Sequence, residues 1–286
     1  MSETNTVEEK EYPKNYLFSY AFCGTDVIFM QKLKNLSEIA EPEIWDFKDS
    51  PEYKEFSVLR KYILGTFQRC YDQNLILESE NKHYSCFNTG LLTPNGNDII
   101  GLFEKNYRSD GQKWFLSGFF DKCEREIMNN FAELPNLPTY TENYEDYYFN
   151  PNYNIVINAD HILDDNWSRI ERELGLDKSM VRALLKGVIE ETKLRLKRNS
   201  RLAVPQFYFN KIMYLIPIKF PISDAKEVTM ALAVEKTATK QYRANTIFTK
   251  DMAYEKARLL MKPESNWLVE WEKQVKRPAF LMYHKK

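Results

Sequence analysis

The sequence predicts an α+β protein with a mainly antiparallel sheet flanked by helices. Three observations predict it. Apolar residues recur at helical spacing in a few long stretches, and elsewhere they gather in short β-rich segments bounded by turn residues. These segments cluster strand beside strand with helices bracketing them. A doubly wound nucleotide fold would alternate strand and helix strictly.

Residues 1–14 are polar and acidic and read as a mobile tail ahead of a single domain over 15–286, with a weak subdivision near 131–154. Residues 31–40 place Leu33, Leu36, Ile39 and Ala40 at helical spacing, and Pro42 stops the helix. A stronger amphipathic helix covers 53–71, with Phe56, Leu59, Ile63, Phe67 and Cys70 on one stripe. Three strands follow, at 85–93, 98–104 and 113–120. The turn Pro94-Asn95-Gly96-Asn97 joins the first two, because Asn-Gly readily supplies the positive φ of a tight hairpin. The loop-rich stretch 131–154 carries Tyr140, Tyr144, Tyr147, Tyr148 and Phe149 and leads to a short strand at 154–158. A helix is expected over 164–174, with Asp164 or Asp165 as its cap. A longer one runs from 178 to about 199 behind an Asp177 cap. Four β-rich stretches, 203–209, 212–220, 228–235 and 242–248, precede a helix over 251–261 capped by Thr249. Pro263 opens a last helix toward Trp271.

Composition excludes several classes. The chain of 286 residues is 43% hydrophobic with a net charge of −1, which is a folded protein and not a disordered one. Its N-terminus lacks the basic and apolar regions of a secretory leader. The longest apolar run, 212–220, is interrupted by Pro217 and Lys219, so no membrane-spanning helix is expected. Cys23, Cys70, Cys86 and Cys123 form no CxxC pair, which suits thiols in a reducing cytoplasm better than a disulfide frame or a zinc site. The nucleotide-loop, hydrolase-elbow and zinc-protease motifs are missing, so no cofactor and no metal is expected.

Charge is segregated. Residues 121–177 hold 13 acids against 4 bases, and residues 178–219 hold 10 bases against 2 acids. Lys178, Arg182 and Lys186 share a helical face, as do Lys193 and Lys197. This basic helix is either a phosphate-binding face or a solvated face answering the acidic segment before it.

Four clusters are candidates for chemistry. Among three histidines, His284 lies in the C-terminal tail and His83 in a polar segment. His161 stands in a polar corner between a strand end and a helix start, where it can act as an acid/base. Asn166 and Arg169, three apart on one helical face, can hold a phosphate beside it. The structural alternative is that His161 bonds a loop and an aspartate merely caps the helix. Asn88 and Thr89 precede Gly90 inside a strand, which marks a bulge or a close approach by a ligand. Asp251, Tyr254 and Arg258 share a face of the 251–261 helix, as a ligand site or as a cap and a surface pair. Gln206 is a polar residue in an otherwise apolar strand.

Five segments in order resemble a family: LSEIAEPEIW (36–45), FNTGLLT (87–93), ADHILDDNWSRI (159–170), AVPQFYF (203–209) and TKDMAYEKARLLMKPESNWL (249–268). They are similar to the bacterial domain of unknown function family 3825, across roughly residues 17–271. The resemblance brings no mechanism. In other proteins such domains are joined to RNA-binding modules of the OST-HTH and cold-shock kinds, which implies a role around RNA. The tail ahead of this domain is too short to be such a module.

The expectation is a cytoplasmic protein binding RNA or a nucleotide through a Tyr-rich, partly basic groove. One alternative is a metal-independent nucleotide- or RNA-phosphodiester enzyme with His161 as acid/base. Another is a protein-interaction component of a bacterial defence or toxin–antitoxin system, with a homo-oligomer or protein partner.

Overall fold

The computed structural model describes residues 16–51, 53–107, 111–223 and 226–269. The expected N-terminal tail, Trp271 at the end of the last expected helix, and His284 lie outside these residues. The fold is α+β, with two five-stranded sheets, each antiparallel except at one edge. The chain forms two compact units. The first ends at Asp46 and resumes over Lys54–Thr139; the second holds Phe47–Tyr53 and everything from Tyr140 onward. The boundary at Tyr140 falls inside the loop-rich stretch 131–154.

In the first unit, helices α1 (Tyr16–Tyr20), α2 (Asp26–Ile39) and α3 (Ser57–Asp72) surround strands β1 (Ala21–Phe22), β2 (Leu77–Glu78), β3 (Tyr84–Leu92), β4 (Asp98–Lys105) and β5 (Trp114–Asp121), followed by α4 (Arg125–Met128). The strand order is β1-β5-β4-β3-β2, and only the β1–β5 pair is parallel. Alternation along β3 sends Phe87 to one face and Cys86 to the other. On the first face Phe67 of α3 sits edge-on to Phe87 and Phe103, 5.1 and 5.7 Å away between ring centres. On the second, Cys86, Ile100 and Leu102 pack with Ile127 of α4. The expected start of α3 at residue 53 moves to Ser57, because Phe56 takes a left-handed φ of 52° and breaks the helical run.

The second unit holds β6 (Asn154–Val156), α5 (Ala159–Leu174), α6 (Lys178–Arg198), β7 (Val204–Tyr208), β8 (Lys211–Ser223), β9 (Lys226–Lys236), β10 (Gln241–Phe248), α7 (Lys250–Arg258) and α8 (Asn266–Val269). The order β6-β10-β9-β8-β7 is antiparallel except for β6–β10. The apolar faces of α5 and α6 bury Ile162, Ile170, Val181, Leu185 and Leu196 against Tyr214, Ile216, Ile218, Met230, Leu232 and Val234. Helix α7 lies against β7, β9 and β10. Pro217 and Pro221 fit inside β8 because β7 pairs only as far as Leu215, so beyond it β8 has a ladder on the β9 side alone.

Candidate functional site

Helix α5 begins at Ala159, five residues before the expected start, and Asn158 caps it by accepting from the His161 backbone N–H at 3.4 Å. This corrects the expected Asp164 or Asp165 cap, since both lie inside the helix. A side-chain oxygen at Asn158 already meets the first-turn donors, so the helix opens there and not at the aspartates. His161 is exposed on that first turn, its Nδ1 3.4 Å from Asp165 Oδ2. Asn166 is buried: its amide donates to the Ile162 carbonyl at 2.6 Å, and its oxygen accepts from Thr246 Oγ1 at 2.6 Å. Half-buried Arg169 donates to the Ile247 carbonyl at 3.2 Å and lies 5.8 Å from the Phe248 ring centre. Asn166 and Arg169 thus tie α5 to the end of β10, while His161 faces solvent.

Asn88 and Thr89 are in the first unit. Asn88 accepts from Gly90 N–H at 2.9 Å and donates to the Pro135 carbonyl at 3.3 Å. Thr89 donates to the Ile99 carbonyl at 2.6 Å. The ladder shifts register between Asn88 and Leu92, with Gly90 at φ 73°. A Cβ on Gly90 would meet the Tyr62 hydroxyl at 2.6 Å, so the group that approaches this backbone closely is a side chain of the same unit.

On α7, Asp251 accepts from Ser50 Oγ at 2.6 Å and from Thr249 Oγ1. Tyr254 is buried edge-on against Phe47, 5.5 Å away, and Arg258 is buried as well. Thr249 is the N-cap residue, but its hydroxyl bonds Asp251 and not a helix N–H.

The basic helix α6 resolves into ion pairs. Lys178 meets Asp164 at 2.5 Å and Arg182 meets Asp160, which are two of the acids of the preceding segment. Lys193 pairs with Glu190 at 2.7 Å, and Arg195 with Glu191 at 2.5 Å. Lys186 and Lys197 are exposed on the same helix. The charge segregation along the chain is therefore used in part to dock α6 against α5.

The tip of the β7–β8 hairpin gathers residues that sequence reasoning did not single out. Tyr208 pairs with Lys211, leaving Phe209 and Asn210 as a two-residue link with φ values of 46° and 57°. Such links favour Asn-Gly, since both central residues need positive φ. Here the first is a phenylalanine, and it is 66% exposed. Tyr208 stands edge-on to Phe209 at 4.4 Å, and Lys256 Nζ of α7 lies 5.4 Å from the Tyr208 ring centre. Because side chains alternate along a strand, Tyr208 and Gln206 share the face that meets α7. Gln206 is 2% exposed, and its Oε1 is buried without a hydrogen-bond partner. Register places Gln206, Met213, Glu235 and Arg243 in one row across four strands. Glu235 accepts from Lys211 and Arg243, each at 2.9 Å, and from Asn245 at 3.4 Å. These donors, led by Lys211, hold its carboxyl below the usual glutamate range.

The same end of the sheet carries Lys236, exposed Lys240 in the β9–β10 turn, and the Tyr144–Tyr147 turn. That turn is tied down by Lys236 Nζ, 3.4 Å from Asp146 Oδ1, and by the Tyr214 hydroxyl, which donates to the Asp146 and Tyr148 carbonyls. Tyr144 and Tyr148 are 82% and 75% exposed. Tyr208 and Phe209 thus accompany Lys211, Lys256 and the Glu235–Arg243 pair, while Tyr144 and Tyr148 accompany Lys236 and Asp146 and are held by Tyr214 from the opposite face of the sheet.

These features place the chain in the class of helix-flanked antiparallel-sheet α+β proteins. More narrowly, it belongs to the family described as Domain of unknown function (DUF3825), whose model matches residues 36–267. No curated protein and no solved structure matches it. No helix among the described residues is long and apolar enough to cross a membrane.

Proposed function

We propose that this protein binds single-stranded RNA through the aromatic, net-basic end of its second sheet. The observation that carries the reading is Phe209, a bulky ring held on left-handed backbone and presented to solvent against Tyr208, whose own ring lies near Lys256, with Lys211 next along the hairpin and Arg243 bound to the same Glu235 as Lys211. An exposed ring on strained backbone contributes little to folding, and outliers of this kind cluster at binding sites. Stacking on aromatic side chains suits any unpaired base, while flanking Lys and Arg follow the phosphates. RNA is the nucleic acid implied by the modules that accompany this kind of domain in other proteins. The acid/base reading of His161 receives less support, since that side chain is solvated and paired with Asp165.

The test is fluorescence anisotropy of a labelled oligouridine titrated with the full chain at several salt concentrations. Three to four phosphate contacts predict a log–log salt slope of about −2 to −3 for a single strand. The Tyr208→Ala/Phe209→Ala variant should lose most of the affinity, and a duplex should bind more weakly. Affinity that ignores salt, or a double variant that binds as the parent does, would refute the proposal.

A further inference from the structure

The first unit contains a separate cleft of about 290 Å³, lined by Tyr16, Ser19, Tyr20, Tyr71, Glu78, Lys113 and Trp114. The geometry points to a nucleobase-binding site there, one that reads the Watson–Crick edge of guanine. The inference does not depend on the RNA-binding reading of the second unit.

The aromatic side chains of the cleft are held by the fold. The Tyr20 ring lies nearly parallel to Trp114, 6.3 Å away between centres, and is fixed by a 2.7 Å hydrogen bond between its hydroxyl and Ser85 Oγ. Burial raises the Tyr20 phenol well above the usual tyrosine range, so it stays neutral. Tyr16 and Tyr71 stand 5.2 Å apart, and Tyr71 is partly open to solvent. Trp114 and Tyr20 form the packed floor, and the ring faces open to a planar base are those of Tyr16 and Tyr71. The volume lies just below the roughly 300 Å³ at which drug-sized pockets begin, which matches one base with part of its sugar better than a dinucleotide.

The edge-reading groups are Glu78 and Lys113. Lys113 Nζ lies 2.6 Å from Glu78 Oε1 and 4.7 Å from the Trp114 ring centre, so a carboxylate and an ammonium stand side by side at the aromatic wall. Guanine presents two adjacent donors, N1–H and the N2 amine, beside the O6 acceptor. A carboxylate can accept from both donors while the neighbouring ammonium donates to O6. Adenine and cytosine offer only one donor group beside a ring acceptor, and uracil offers a single N–H. Both charged side chains are substantially exposed, and an exposed ion pair adds little to stability, so the pair can turn toward a ligand at small cost.

Isothermal titration calorimetry of the full chain with GMP, AMP, CMP and UMP tests this, alongside an oligouridine carrying a terminal guanosine. The expected result is preferential binding of GMP, with Glu78→Gln weakening it at least about tenfold at an unchanged melting temperature. If GMP is silent but the guanosine-ended oligonucleotide gains affinity that Glu78→Gln removes, the same site takes its base from an RNA end. Equal binding of all four nucleotides overturns the guanine reading. So does GMP affinity unmoved by Glu78→Gln, or no guanine-dependent binding of either probe. Phe209→Ala should leave GMP binding intact, and Glu78→Gln should leave plain oligouridine binding intact. Failure of one site is thereby distinguished from failure of the other.

Discussion

Replacing Phe209 with asparagine separates the two roles a hairpin-tip residue can have. Left-handed backbone costs an L-residue with a Cβ about 1–2 kcal/mol, and asparagine tolerates it far better than phenylalanine. Against that gain stands the loss of the edge-on contact with Tyr208 at 4.4 Å, an aromatic pair being worth about 0.5–1.5 kcal/mol. With the ring 66% exposed, little further burial is lost. The net change runs from about 0.5 kcal/mol of destabilisation to about 1.5 of stabilisation, a melting shift of about −2 to +6 °C for a unit of this size. Binding should move much further and in one direction. A lost stacked base costs about 1–3 kcal/mol, which is about a 5- to 150-fold weaker oligouridine complex. Differential scanning fluorimetry and anisotropy on the same preparation read both quantities. Destabilisation beyond about 2 kcal/mol would mean that the ring is a packing residue, and unchanged RNA affinity would mean that it is not a stacking one.

Other perturbations probe the remaining assignments. Lys178→Ala/Arg182→Ala should alter oligouridine affinity less than about threefold, since both cations already face Asp164 and Asp160; a drop comparable to that of the hairpin variant would return the RNA site to α6. Burial pushes the Cys23, Cys70 and Cys86 thiols up to about 12, and Cys123 is exposed, so a thiol reagent at pH 8 should label one cysteine rapidly in the native protein and four after unfolding. Two or more fast native thiols would contradict the packing described. Glu235 has a depressed pKa in the folded state, so its stabilising contribution is complete above the unfolded value near about pH 4.3 and fades as pH falls from there through the native value. Glu235→Gln should therefore show a shallower loss of melting temperature between pH 5 and pH 3 than the parent; identical slopes would mean that the Lys211 and Arg243 contacts do not hold in solution.

Legibility of the fold followed the range of the forces involved. Strands β3, β4 and β5 and the four strands β7–β10 were readable because alternation and turn chemistry are local. Helix α5 starts earlier than its sequence suggests because Asp164 and Asp165 offer a conspicuous cap, whereas the working cap is Asn158, after which Asp160 and His161 occupy the exposed first turn. The two-residue strands β1 and β2 carry no periodicity of their own and form only because a longer neighbour supplies the ladder. In the candidate sites, the spacing within α5 correctly put Asn166 and Arg169 on one face. What that face meets, the end of β10, depends on pairing some 80 residues away and is invisible in a window of sequence. The hairpin tip did leave a local signal: the β-rich stretches 203–209 and 212–220 leave only Asn210-Lys211 between them, a tight turn that the structure places one residue earlier, at Phe209-Asn210. The Glu78–Lys113 pair left none, because 35 residues separate its partners.

The pairing of α5 with α6 changes how the charge pattern should be read. A run of lysines and arginines attracts phosphate only to the extent that its charge is not already compensated nearby. Along α6 the compensation is built in for Lys178, Arg182, Lys193 and Arg195, by Asp164 and Asp160 across the helix pair and by Glu190 and Glu191 one turn away. At the end of the second sheet it is shared: among the described residues Glu235 is the carboxylate that answers both Lys211 and Arg243, and both of these side chains remain more than 60% exposed. Aromatic rings add what charge alone lacks, since stacking depends on unpaired bases and so separates single strands from duplex. Charge density along the chain favours α6, whereas the proposed hairpin-tip site combines shared carboxylate partners with exposed rings. At the hairpin tip two cations share one carboxylate, so a phosphate that takes one of them leaves Glu235 still paired with the other, whereas along α6 each displaced cation strands its own acid.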